Sequence, residues 1–159
     1  METKQIVVFK LLDEEYSIDI MHVLEIINYE PIREVPEVPD YVEGIVNLRG
    51  TIYPIFNLRT RLHMMPYMAM DDTKIILIHL GELKVGMIVD SLREILTIQE
   101  EELEQKSKVL EKYESKYIEE IVKKDDRMIV ILNVDLLLAD DEEELINHEN
   151  NSSCNAECR

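Results

Sequence analysis

Glycine is scarce in this chain, with four residues among 159. That argues against the glycine-rich turns that cradle phosphates, and neither G-x-G-x-x-G nor G-x-x-x-x-G-K occurs. Cysteine is scarcer still and confined to the end. Cys154 and Cys158 cannot staple a core, which fits a reducing cytosol. Their C-x-x-x-C spacing near His148 lacks four ligands at zinc spacing, so a solvated tail with incidental thiols is expected. His22, His63, His79 and His148 fall into no H-x-x-x-H or H-E-x-x-H pattern, and no serine sits in a G-x-S-x-G elbow. No apolar run approaches the ~20 residues of a membrane helix. The opening Met-Glu-Thr-Lys lacks the basic and apolar regions of a signal peptide. Basic residues number 17 against 34 acidic ones, for a net charge of -17. Such a chain repels phosphate backbones and anionic headgroups, so a complementary partner surface would be basic. Glu14-Glu15 and the run 100–102 read as solvated carboxylates, because adjacency in sequence does not converge on a substrate. Nothing in this inventory reads as an enzyme. No cofactor, metal, nucleic acid or membrane insertion is expected, and the location expected is cytoplasmic.

What the chain does have is an internal repeat. Offset by 69, Ile6-Val7-Val8-Phe9 falls on Ile75-Ile76-Leu77-Ile78, and Val23-Leu24-Glu25-Ile26-Ile27 on Leu92-Arg93-Glu94-Ile95-Leu96. Offset by 76, Val42–Val46 falls on Ile118–Val122, and Ile55–Leu58 on Ile131–Val134. The halves disagree at one turn, Asn47-Leu48-Arg49-Gly50 in the first and Lys123-Lys124-Asp125-Asp126 in the second.

β-Branched enrichment, short length and polar punctuation predict five strands per half. They are Gln5–Leu12, Tyr16–Ile20, Leu24–Tyr29, Gly44–Leu48 and Thr51–Asn57, then Lys74–Leu80, Lys84–Asp90, Glu94–Ile98, Ile118–Lys123 and Arg127–Asn133. Ile75–Ile78 and Ile129–Leu132 are apolar without alternation, as in strands covered on both faces. Five short strands leave open edges unless they close into a small barrel. Two such barrels about a pseudo-twofold would share a core, and an N-terminal strand can cross to complete its neighbour. Pro31–Tyr41, with three prolines, reads as an extended loop. Tyr67–Thr73 links the halves. Glu100–Lys116 reads as a short helix and loop, and Val134–Ile146 as a closing helix capped by Asp135. The repeats span about 5–66 and 71–139 of a domain over 1–139, and 140–159 is an acidic extension with a disordered end.

Gly50 suits a positive-φ turn position in the hairpin, and Asn47 suits the same turn. Arg49 is either an interface residue or the partner of an internal ion pair with Glu25 or Glu43. Val23 and Glu25 recur as Leu92 and Glu94, so shared packing is the simpler account of both, with Val23 as apolar surface between barrels. Met64-Met65-Pro66-Tyr67-Met68 reads as linker and core filler.

The segments Glu15–Ile20, Val23–Ile26, Val35-Pro36, Pro39–Gly50, Pro54–Arg59 and Val85–Asp90 together resemble the CheW family of bacterial chemotaxis coupling proteins. The resemblance covers about residues 4–139, and Pro36–Arg59 is its most specific part. It implies a mainly β fold of two pseudo-symmetric five-stranded SH3-like barrels sharing a core, with a C-terminal helix. It also implies a non-enzymatic scaffold joining the cytoplasmic hairpin tip of methyl-accepting chemoreceptors to the regulatory domain of a CheA-type histidine kinase. Receptor-binding positions of the family match Val23, Glu25, Asn47 and Arg49. Gly44 and Gly86 match positions needing a small residue near interaction surfaces. The chain departs from the family at Glu104–Ser107, where prolines are common, and at Glu120, where many members have glycine. Outside this resemblance, a small-ligand-binding double barrel using the cleft between halves is the alternative.

Overall fold

In the computed structural model, which describes residues 3–65, 69–104 and 117–137, all ten expected segments are strands. The first half gives β1 (Thr3–Leu11), β2 (Glu14–Asp19), β3 (Val23–Asn28), β4 (Val42–Leu48) and β5 (Thr51–Asn57). A four-residue helix, α1 (Leu58–Arg61), follows. The second half gives β6 (Lys74–Leu80), β7 (Leu83–Val89), β8 (Ser91–Gln99), a two-residue β9 (Leu103–Glu104), β10 (Ile118–Lys124) and β11 (Arg127–Leu132). The helix expected from Glu100 is instead a three-residue 3-10 turn, Glu100–Glu102, leading into β9. Glu102 closes that turn as a capping box, accepting from the Gln99 backbone N–H at 2.9 Å. Residues 105–116 of that expectation, the Cys154–Cys158 tail and the end of the closing helix lie outside the described residues. The closing helix, α2, begins at 134–137. Its cap is Asn133, whose Oδ1 accepts from the Leu136 N–H at 3.0 Å, and Asp135 lies inside the first turn.

The repeat in sequence is not the barrel in space. One sheet runs β8-β1-β2-β11-β10-β9 and the other β3-β6-β7-β5-β4. Each barrel thus combines a hairpin from one half with three long strands from the other. Each takes its name from its strand that is buried on both faces, the β1 barrel and the β6 barrel. The exchange is symmetric to the residue. Val8 pairs with Glu94 as Leu77 pairs with Glu25, and Gly44 opposes Ile55 as Glu120 opposes Ile131. Bulges fall at equivalent places, and each barrel has one parallel pair, β2 with β11 and β5 with β7.

This exchange explains the apolar runs. Along β1, Ile6 and Val8 point into the β1 barrel, while Val7, Phe9 and Leu11 point into the layer between barrels. Along β6, Ile75 and Leu77 fill the β6 barrel, while Ile76 and Ile78 enter the same shared layer. All nine side chains are fully buried. At about 1.5–3 kcal/mol for each buried large aliphatic residue, this shared layer is the main cohesive force between the barrels.

The pseudo-twofold passes beside Arg61. Its guanidinium lies 4.8 Å from the ring centroids of both Tyr41 and Tyr117, which are equivalents 76 residues apart. Its Nε donates at 3.2 Å to the carbonyl of Leu137, the residue equivalent to Arg61 itself. A buried arginine thus sits where exact symmetry would bring two leucines together. Its five donors and flat faces let one side chain satisfy both halves. Arg61→Ala is expected to cost about 2–4 kcal/mol in urea unfolding, from the lost ring contacts and hydrogen bond. Arg61→Lys is expected to recover only part, because an ammonium cannot stack flat between two rings.

Candidate functional site

The β4–β5 hairpin closes between Leu48 and Thr51, leaving Arg49 and Gly50 as its two turn residues. Both have positive φ, 50° and 86°, as a right-twisting two-residue hairpin requires. Asn47 Oδ1 accepts from the Gly50 N–H at 3.1 Å and holds the turn. Asn, Asp or Gly is the ordinary residue at the first position and Gly at the second, and an L side chain in the left-handed region costs about 1–2 kcal/mol. Arg49 carries that cost while remaining 68% exposed.

Arg49 Nη2 donates to Glu25 Oε2. Of the two candidates, Glu25 is therefore the partner. Glu43 instead accepts from Asn57 Nδ2 at 2.8 Å. Glu25 opposes Leu77, and two residues further on Ile27 packs in the interior of the β6 barrel. The carboxylate therefore stands at the rim of that barrel's mouth, on the file that turns apolar as it goes inward. Val23, across the bulge, belongs to another layer. It is half-buried against the core shared by the barrels. The structure thus joins Glu25, Asn47 and Arg49 at one barrel rim, with Val23 on the neighbouring seam.

The equivalent rim of the β1 barrel is built differently. Glu94 pairs with Arg127 at 2.8 Å, but Arg127 follows the turn instead of forming its tip. Arg127 also makes a two-pronged contact to Glu15, Nε to Oε2 at 3.1 Å and Nη2 to Oε1 at 2.8 Å. Arg93 adds a contact to Glu15 at 3.3 Å. Glu15 is thus not the solvated carboxylate expected from sequence, for its side chain is only 14% exposed. The Arg127 hydrogen bond holds its carboxyl below the usual range, against the opposing effect of burial. Arg127 is raised correspondingly, first by Glu15. The tip itself is Asp125-Asp126, with φ positive only at Asp125.

Gly44 and Gly86 are internal. A Cβ on Gly44, at φ 151°, would lie 2.0 Å from the Arg33 carbonyl oxygen, where residue 33 bridges to Ile45. A Cβ on Gly86 would lie 2.6 Å from Ile55 Cδ1. The position equivalent to Gly86 is Ser17, which is buried and whose hydroxyl donates to the Val130 carbonyl at 3.3 Å. A second unanticipated cluster ties the barrels together. Asp90 receives both Arg59 Nε, at 2.8 Å, and Arg59 Nη2, and its Oδ2 also accepts from the Leu12 N–H at 2.7 Å. The ion pairs had no signal in the sequence, because their partners are 31 to 112 residues apart.

The groove between the barrels has a volume of about 230 Å³ and is lined by Tyr16, Leu62, Met64 and Tyr117 among others. That is below the ~300–1,000 Å³ of small-molecule sites. Among the described residues, no group of three or more His, Cys, Asp or Glu is placed to hold a metal ion. Among them also, no helix is long and apolar enough to cross a membrane.

A family model for the CheW-like domain matches residues 5–142. The chain belongs to the CheW-like domain family. The CheW relatives include the chemotaxis protein CheW of Bacillus subtilis, 33% identical over 85% of this chain and 86% of that one. They also include that of Klebsiella aerogenes, 28% identical over 91% and 87%. The crystal structure of the scaffolding protein TtCheW from Thermoanaerobacter tengcongensis matches with a TM-score of 0.78 at 35% identity, covering 86% of this chain and 93% of that one. The CheW fold class expected from sequence, mainly β with two SH3-like barrels and a shared core, is the fold observed.

Two outcomes follow from this geometry. Gly86→Ala is expected to cost about 1–3 kcal/mol through overpacking against Ile55, read as a lower urea midpoint with unchanged slope. Glu15 has a lower carboxyl pKa folded than unfolded, so it stabilises the protein above the ordinary carboxylate range and loses that effect as pH falls through the folded value. Glu15→Gln is expected to lose roughly 1–3 kcal/mol at pH 7, with the gap to the parent closing below about pH 4. A gap that stays constant from pH 7 to pH 3 would show that the charge of Glu15 is immaterial.

Proposed function

We propose that this CheW-like protein is a non-enzymatic cytoplasmic scaffold. It couples the hairpin tip of methyl-accepting chemoreceptors to the regulatory domain of a CheA-type histidine kinase. The observation that carries the reading is Arg49, a 68% exposed cation on a chain of net charge -17, held out on a positive-φ turn. A strained residue that packing does not require points to a role outside the fold. Arginine's planar, two-pronged donor set suits it to an interface. Glu25 preorients Arg49 from the barrel rim, Asn47 fixes the turn that displays it, and Val23 supplies an apolar edge at the seam. The kinase domain packs on strand ends of a barrel. Gly44 and Gly86 support these surfaces from inside, by letting the loop after β3 and strand β7 approach their neighbours closely.

Titration of a purified receptor hairpin fragment and of the kinase regulatory domain tests the scaffold, and binding of neither would overturn it. Arg49→Ala is expected to weaken receptor-fragment binding about tenfold or more, as loss of an interface arginine does. Its unfolding free energy is expected to stay within about 1 kcal/mol of the parent, because the Glu25 pair is exposed. A large loss of stability with unaltered binding would make Arg49 a structural residue instead.

A further inference from the structure

The β4–β5 hairpin is apolar on both faces. Its inner face carries Val46, Leu48, Tyr53 and Ile55, which pack inside the β6 barrel. Its outer face carries Ile45, Ile52 and Pro54, at positions where a water-exposed antiparallel hairpin usually alternates to polar residues. Along β5 this outer file starts at Phe56, buried in the layer between the barrels. It passes the half-buried Pro54 and ends at Ile52, which is 50% exposed. Ile52 lies directly opposite Asn47, so the two side chains share a face about 5 Å apart at Cβ. The next rung, Leu48 with Thr51, is the last before the tip, which puts Arg49 about 5–7 Å from Ile52 along the strands. Glu25 takes one donor of Arg49, and among the described residues Arg49 has no other hydrogen bond or ion pair. A cation in that position contributes little while water surrounds it, and far more once an adjoining apolar contact excludes the water. We propose that Ile52 is the apolar anchor of the receptor site, and that the site reads a carboxylate and an apolar side chain about one helical turn apart on the receptor hairpin. A helical turn rises about 5.4 Å, which matches the spacing of Arg49 and Ile52. The equivalent hairpin supplies the contrast. Met128, opposite Lys123, is 57% exposed, but the tip beside it is Asp125-Asp126, so that hairpin pairs its apolar residue with acids. The inference rests on the reading of the β6 rim as the receptor surface.

The test is isothermal titration of the full chain with the receptor hairpin fragment and, separately, with the kinase regulatory domain. Ile52→Thr keeps a β-branched residue in the strand and removes apolar surface. It is expected to weaken receptor-fragment binding about fivefold, while Ile52→Val stays within about twofold of the parent. Met128→Thr, the same loss on the other hairpin, is expected to bind the fragment as the parent does. All three variants are expected to titrate the kinase domain as the parent does, which shows them folded. In the Arg49→Ala background, Ile52→Thr is expected to weaken binding by a smaller factor than it does alone, because each contact strengthens the other. If Arg49→Ala weakens fragment binding and Ile52→Thr does not, the inference is overturned while the proposed function stands. An equal loss from Met128→Thr also overturns it, as does a loss of kinase-domain binding in place of receptor-fragment binding from Ile52→Thr. If Arg49→Ala itself leaves fragment binding unaltered, the receptor reading fails first.

Discussion

Strands β1 and β6 each have one face inside a barrel and the other against the opposite barrel, and the architecture hangs on this double burial. Neither barrel can close from its own half of the chain, so each half lends a hairpin to its neighbour. The lent strands must be apolar at every position, which is why Ile6–Phe9 and Ile75–Ile78 do not alternate. Because the exchanged hairpins are also the walls of the shared core, the barrels cannot separate without opening both sheets. That makes one cooperative unit from two small barrels that would each be marginal alone.

Symmetric packing brings its own difficulty at the axis, where equivalent residues meet. Arg61 resolves it by being unlike its equivalent. Its guanidinium stacks on both symmetry-related tyrosines and donates to the carbonyl of Leu137. The same short helix carries Arg59, whose pairing with Asp90 reaches the β1–β2 turn through the Leu12 N–H. Two arginines of α1 therefore fasten both barrels, Arg61 at the axis and Arg59 beside it. The rims then differ by where charge is placed and by the turn at the tip, not by strand register. One has its arginine on the tip with a single acid, and the other has it behind the tip with two.

Much of this was legible in the chain. The offsets of 69 and 76 located all ten long strands, because β-branched runs with turn residues between them signal extended structure locally. The mismatch of Asn47–Gly50 with Lys123–Asp126 marked the rim at which the barrels diverge. The reading of Glu14-Glu15 as solvated missed Glu15, because its partner Arg127 is 112 residues away. Asp135 was expected as the helix cap, two residues past the observed cap Asn133, although Asn57 and Asn133 already matched as equivalents. The 3-10 turn at Glu100–Glu102 replaced a helix, because three consecutive acids favour a first turn without supplying an apolar stripe to continue it.

The sequence by itself determined that the chain is a duplicated, strand-rich protein of the CheW-like kind, and that Arg49 stands where the duplication fails. Those are local properties, carried by periodicity, turn chemistry and motif. Only the tertiary structure decided which half completes which barrel, that Glu25 rather than Glu43 holds Arg49, and that Gly44 and Gly86 are packing constraints. These depend on contacts between residues far apart in the chain, and their geometry exists only once both barrels have closed.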